Sequence, residues 1–145
     1  MKGLIQRVTS ASVRIDGEIV ANIGTGIVLL LGVEKDDSAL QIQKMARKVF
    51  NYRIFTDAAG KMNKSLFDIN GELLVVSQFT LVADTTKGNR PGFSKGATPA
   101  HGELIYQAFI KHVATEFREC QTGVFGADMA VSLINDGPVT FWIET

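Results

Sequence analysis

Residues 4 to 31 read LIQRVTSASVRI, DG, EIVANI, GTG and IVLLL in succession, and this stretch decides the fold. A two-residue hairpin turn of type I′ needs positive φ at both central positions, which Asp16-Gly17 supplies at little cost. Leu4 to Ile15 and Glu18 to Ile23 are therefore expected to be the two arms of a β-hairpin. Gly24-Thr25-Gly26 turns the chain again. Ile27 to Leu31 shows no polar alternation, as expected of a central strand buried on both faces.

The next signals outward are helical. Ser38 with Gln41 three residues on forms a capping box, and Ile42, Met45, Ala46, Val49 and Phe50 fall on one stripe of the helix that follows, with Lys44, Arg47 and Lys48 opposite. A short strand is expected within Tyr52 to Thr56, a turn at Ala58-Ala59-Gly60, and a second buried strand from Glu72 to Val82. Lys87 to Ala97 reads as a basic, glycine-containing loop. Thr98 then caps a helix with Pro99 at its first position, and its stripe is Leu104, Ile105, Ala108, Phe109 and Val113. Met129 to Ile134 and Val139 to Ile143 are expected as two closing strands around a turn at Asn135-Asp136-Gly137-Pro138. The order βββαββαββ, rich in hairpins, argues for an α+β fold, and residues 1–145 read as a single domain.

Composition narrows the function. The 145 residues carry 15 basic and 15 acidic side chains, which is ordinary for one globular domain. Residues 1–70 hold ten Lys/Arg against seven Asp/Glu and residues 71–145 five against eight, too even for a protein held on nucleic acid mainly through phosphates. No leader is evident at the start, and the longest apolar run, Ile27 to Val33, is far short of the roughly 20 residues that span a bilayer. A cytoplasmic protein with no membrane partner is expected. Cys120 is the only cysteine, so neither an intrachain disulfide nor a thiolate zinc site is available.

Several chemistries are missing. His101 and His112 lie roughly 16 Å apart along one helix and cannot share a metal ion. No G-x-S-x-G elbow, dinucleotide fingerprint or P-loop occurs, so no metal and no nucleotide cofactor is expected. Two segments break the structural rules instead. Ser77-Gln78-Phe79-Thr80-Leu81 ends an otherwise apolar strand with polar side chains: either the strand emerges into solvent, or its free N–H groups line a pocket and stabilise an oxyanion. Asn135-Asp136-Gly137-Pro138 precedes Val139-Thr140-Phe141-Trp142-Ile143, and a proline at the start of a strand removes a ladder donor. It is either a plain turn or a rim that senses substrate shape.

These two segments together resemble the two signatures of the D-aminoacyl-tRNA deacylase family. Leu4-Ile5-Gln6-Arg7-Val8, Leu31-Gly32-Val33, Asn51-Tyr52-Arg53-Ile54-Phe55, Arg90-Pro91 through Phe93-Ser94-Lys95-Gly96-Ala97, and Thr122-Gly123-Val124-Phe125-Gly126-Ala127-Asp128-Met129 extend the resemblance nearly end to end. It implies a compact β-barrel-like domain of mixed strands with two helices packed on it, acting as a homodimer on the 3′-terminal aminoacyl-adenosine of tRNA. DNA is not an expected partner. By resemblance, Ser77, Gln78, Phe79 and Thr80 form the catalytic segment, with the N–H groups of Gln78 and Phe79 as oxyanion hole and the ribose 2′-OH helping to activate water. Gly137 and Pro138, in a cis peptide steadied by Arg7, would enter the partner's pocket, hold the amino group by their carbonyl oxygens and exclude an L side chain. Glycyl esters would then be cleaved too. Phe125 and Met129 match positions around the terminal adenine.

Without the resemblance Arg7 would read as an exposed strand-end arginine, and Phe125 and Met129 as core. Thr80 could instead be a nucleophile, although no base is evident to activate it. One departure is visible, since Gly92 stands where the family's R-P-x-F-S-K-G-A stretch is expected to carry serine. A related class with a trans Gly-Pro differs at the first signature, where this chain keeps Ser77 and Phe79. Two other classes compete: a non-catalytic RNA-binding module using Lys87, Arg90 and Lys95, and a Ser/Thr hydrolase in which His101 or His112 approaches Ser77 or Thr80.

Overall fold

The computed structural model describes every residue from Met1 to Thr145. In chain order the elements are β1 (Lys2–Ile15), β2 (Glu18–Ile23), β3 (Gly26–Gly32), α1 (Ala39–Asn51), β4 (Phe55–Thr56), β5 (Met62–Lys64), β6 (Glu72–Ser77), α2 (Pro99–Glu116), β7 (Gln121–Thr122) and β8 (Ala130–Glu144), with a 3₁₀ turn at Phe79–Val82. Strand β1 is the hub. Antiparallel β8 follows one of its edges, while the other edge pairs with β3 along Lys2 to Val8 and with β2 along Ala11 to Ile15. Strand β6 joins β3 in parallel and β7 joins β6, and β2 comes round against β6 and β7, so the sheet curls into a nearly closed barrel.

The Asp16-Gly17 turn has the expected geometry, with φ of 50° and 85°. The unbroken apolar runs in β3 and β6 are explained by burial on two faces. Ile27, Leu29, Leu31, Leu73 and Val75 pack toward α1 and α2, whereas Val28, Leu74 and Val76 join Val8, Ala11, Val13, Ala21 and Ile23 inside the barrel. Each such side chain contributes roughly 1.5–3 kcal/mol when fully buried. Helix α1 keeps its capping box at Ser38 and Gln41 and buries the five residues of its expected stripe. Phe117 stacks on Phe50 at 4.4 Å beyond the end of α2.

Four expectations need correction. The second buried strand stops at Ser77, because Gln78 (φ −141°, ψ 81°) turns the chain into the 3₁₀ segment closed by Leu81 N–H donating to the Gln78 carbonyl. The tail is one strand, not two: residues on both sides of Asn135–Pro138 pair with β1, so this segment is a bulge opposite Arg7 rather than a hairpin turn. Helix α2 faces its core with Gly102, Ile105, Tyr106, Phe109 and Val113, leaving Leu104 and Ala108 exposed. The Tyr106 hydroxyl can be buried because it donates to the Val75 carbonyl at 3.0 Å. Finally, β5 and β7 are too short to leave a periodic signal, which makes the order βββαβββαββ.

Burial pushes the Cys120 thiol up to about 11. The thiolate is the reactive form, so at pH 8 Cys120 is expected to alkylate about 100-fold more slowly than an unperturbed cysteine, which mass-resolved iodoacetamide labelling would read.

Candidate active site

Strands β3 and β6 run parallel and end side by side at Gly32 and Ser77, and a cavity of about 520 Å³ opens beyond their carboxyl ends. Its floor is the apolar strand ends Leu31, Val33 and Val76. Ser77, Gln78, Phe79, Phe93, Phe125 and Met129 also line it. Asp128 is the only charged residue in the lining. Phe125 is propped by Tyr106, with ring centroids 5.8 Å apart, and lies over the bare Cα of Gly102. Tyr106 also shapes the site without a signal in the sequence, and Phe93 carries one only as part of the R-P-x-F-S-K-G-A stretch; the polar interruption after Val76 is the signal that marks the place.

Of the catalytic segment, Phe79 has a main-chain N–H that takes part in no turn, loop or side-chain hydrogen bond, as befits the first residue of a short helical turn. Gln78 differs from expectation: its N–H is already engaged, donating to the Leu31 carbonyl at 2.8 Å. Its side-chain amide donates to the Thr80 hydroxyl, and Thr80 is exposed and outside the cavity lining. Neither histidine reaches the cavity. His101 Nε2 lies 3.2 Å from the Asp37 carbonyl, and His112 packs edge-on against Phe117. No three His, Cys, Asp or Glu side chains converge on a point that could hold a metal ion.

The second segment stands apart from this cavity. One residue of β1, Arg7, faces four residues of β8, because Gln6 pairs with Thr140 and Val8 with Asn135. The excess is pinched at its base by Asn135, whose Oδ1 accepts from Val139 N–H at 2.6 Å and whose Nδ2 donates to the Val139 carbonyl at 3.2 Å. An amide side chain thus stands in for the missing ladder partner. Arg7, only 8% exposed, reaches underneath: Nε donates to the Asp136 carbonyl at 2.9 Å and lies 3.2 Å from its carboxylate, while Nη1 donates to the Ile54 carbonyl. The Gly137–Pro138 bond is cis, Gly137 has φ of 144°, and both residues are exposed. Neither they nor Arg7 contribute to the cavity wall of their own chain.

A hollow of about 570 Å³ at Lys44, Arg47, Lys48 and Glu144 is of similar size, but it is open and Tyr52 is its one hydrophobic residue, a poor place to desolvate a ligand. No helix is long and apolar enough to cross a membrane.

Comparison with known proteins agrees with the sequence resemblance. The family model described as D-Tyr-tRNA(Tyr) deacylase matches residues 4–144. The D-aminoacyl-tRNA deacylase of Alteromonas mediterranea is 57% identical over 141 residues, covering 97% of each chain. Those of Citrobacter koseri and Escherichia coli O1:K1 / APEC are 52% and 53% identical over 144 residues, covering 99% of each. Among solved structures, one named c-Myc DNA Unwinding Element Binding Protein superposes with a TM-score of 0.96 at 41% identity, over 100% of this chain and 99% of that one. Another, described as a probable eukaryotic D-amino acid tRNA deacylase, gives 0.81 at 17% identity over 98% and 97%, and shares the fold. With the family model spanning almost every residue and relatives above half identity end to end, this chain belongs to the D-Tyr-tRNA(Tyr) deacylase family.

Proposed function

We propose that this protein hydrolyses the ester between a D-amino acid and the terminal ribose of tRNA, and glycyl esters with it, as a homodimer in which the Gly137-Pro138 loop of one copy closes the cavity of the other. The observation that carries this reading is the separation of the two signature segments within one chain. The cavity offers a main-chain donor at Phe79 and the apolar side chains of Phe125 and Met129 but holds no residue of the second signature, while the Gly137-Pro138 bulge is held out from β8 and forms no part of the cavity wall. Apolar side chains exposed on β8, Ile134 at 62% and Trp142 at 46%, support contact with a second copy.

In this reading the adenine enters the cavity beside Phe125 and Met129, where an unpaired base gains from contact with an aromatic ring. Water adds to the ester carbonyl, whose oxygen takes up charge that the Phe79 N–H stabilises; losing one such donor typically costs about 3 kcal/mol of barrier. Collapse breaks the bond to the ribose oxygen, which leaves with a proton, and the products are the free amino acid and tRNA. The lining holds no histidine, lysine or arginine, and the family resemblance gives the task of helping to activate the water to the ribose 2′-OH of the substrate. The two carbonyls of the Gly137-Pro138 bulge hold the amino group and leave space only on the D side, so an L residue is rejected by collision rather than by weaker attraction.

The test is amino-acid release from D-Tyr-tRNA and L-Tyr-tRNA by chelator-treated protein at submicromolar concentration. Loss of the D ester with survival of the L ester is expected. Cleavage of neither would reduce the family relationship to fold, and equal cleavage of both would remove the chiral role of Gly137 and Pro138. The double variant His101→Ala/His112→Ala should retain D-Tyr-tRNA hydrolysis within about 2-fold, whereas a Ser/Thr hydrolase deprived of its base would lose on the order of 10³-fold or more.

A further inference from the structure

At the mouth of the cavity Phe79 and Phe93 stand side by side, ring centroids 5.2 Å apart and tilted by 47°. Phe79 is 66% exposed and Phe93 42%. Two large rings left in water beside one cavity mark a contact surface.

The segment that presents Phe93 is built to hold it there. Asp84 and Gly92 exchange backbone hydrogen bonds of 2.7 and 2.9 Å, and the Asp84 carboxylate accepts from the N–H and hydroxyl of Thr86. Beyond Phe93 the chain is tied down again, with Gly96 N–H donating to the Phe93 carbonyl at 3.0 Å and Ala97 N–H to the Val33 carbonyl at 3.1 Å. The same segment carries Lys87, Arg90 and Lys95, all exposed and none within 4.0 Å of a carboxylate.

We propose that Phe93, beside Phe79, is a stacking subsite for the unpaired nucleotide that precedes the terminal adenosine, with Lys87, Arg90 and Lys95 taking its phosphates. The inference rests on the reading that the cavity takes that adenosine, because Phe79 and Phe93 line the same cavity as Phe125 and Met129 and are its exposed aromatic residues. An exposed aromatic face beside unpaired cations is the combination that binds single-stranded nucleic acid without reading its sequence. A second copy of the chain, whose Gly137-Pro138 loop is proposed to close the cavity itself, is the other candidate to cover these rings at its mouth. It fits less well, since three unpaired cations in one short segment would be desolvated at a protein interface, where Lys is depleted.

Fluorescence anisotropy with a 5′-labelled RNA oligonucleotide ending in CCA, and adenosine monophosphate as the short comparison ligand, tests this without any turnover. Phe93→Ala is expected to raise the oligonucleotide Kd about 10-fold relative to that of the mononucleotide, and Phe93→Trp to restore it. Lys87→Ala/Arg90→Ala/Lys95→Ala should flatten the slope of log Kd against log salt by about 1.4, at roughly 0.7 for each of the two phosphates that flank this nucleotide. An unchanged oligonucleotide Kd in Phe93→Ala overturns the proposal. So does equal weakening of both ligands, which marks a damaged cavity, and so does a switch to monomer with RNA affinity intact, which marks a protein contact. Binding that depends on Phe93 in a protein that cleaves no D-aminoacyl ester would remove the deacylase reading and leave this subsite standing.

Discussion

Arg7→Ala should lower folding stability by about 3 kcal/mol and cut D-aminoacyl ester hydrolysis at least about 100-fold. The stability loss follows from what the guanidinium holds. It donates to two main-chain carbonyls, Asp136 and Ile54, and faces the Asp136 carboxylate, all from a position only 8% exposed. A hydrogen bond from a charged donor contributes about 1.5–3 kcal/mol, and a carbonyl left buried without a partner costs about 1–3 kcal/mol more. The activity loss follows because the same contacts fix the bulge, and a reacting group displaced by about 1 Å can lose 10²-fold. Arg7→Lys should fall between, since one ammonium lacks the fork that spans both carbonyls. Urea midpoints and kcat/KM for D-Tyr-tRNA measure the two effects separately. A midpoint equivalent to less than about 1 kcal/mol of loss would mean that the guanidinium is not what ties the bulge to the barrel.

Gly137→Ala should show the opposite balance, with hydrolysis reduced by about 100-fold or more and stability by no more than about 1–2 kcal/mol. Gly137 has φ of 144°, a region L residues rarely enter, and an added Cβ would lie 2.6 Å from Val139 Cγ2 and 3.2 Å from Arg7 Nη2. The bulge would have to re-form, but Gly137 and Pro138 are exposed and belong to neither hydrophobic cluster, and Val139 is the one core residue that must shift, so the barrel should survive. Retention of D-specific hydrolysis in a folded Gly137→Ala protein would separate this bulge from chiral selection.

What could be read from the sequence, and what could not, divides along the range of the forces involved. The Asp16-Gly17 hairpin, the two-sided burial of Ile27 to Leu31 and the Ser38 capping box are set by residues within a turn or two of each other, and the structure has them all. Leu104 and Tyr106 traded places because the rotation of α2 depends on a hydroxyl finding the Val75 carbonyl, 31 positions away. Asn135 to Pro138 carries ordinary turn chemistry. It became a bulge because β1 is long enough to pair with β8 on both sides, which no local window reveals. The same applies to Arg7, whose burial is created by Ile54 and Asp136. Gln78 was expected to give its N–H to a ligand, yet the last rung of the β3–β6 pairing claims it. The candidate site was legible as two marked segments; that they lie apart within one chain required the fold.

The proposed oxyanion donor belongs to the main chain, which changes where harmful mutations should fall. Every residue except proline brings its own N–H, so exchanging Phe79 alters the neighbourhood and leaves the donor in place. What can be lost by mutation is the path that aims it. Gly32, on the adjoining strand, lies under this turn, where a Cβ would come within 3.0 Å of Val82 Cγ1 and 3.1 Å of both the Gln78 carbonyl oxygen and Leu81 Cβ. Inheritance of the donor is therefore written partly at a position that never meets substrate. Screening for loss of function should find this part of the site through its backing rather than through its surface.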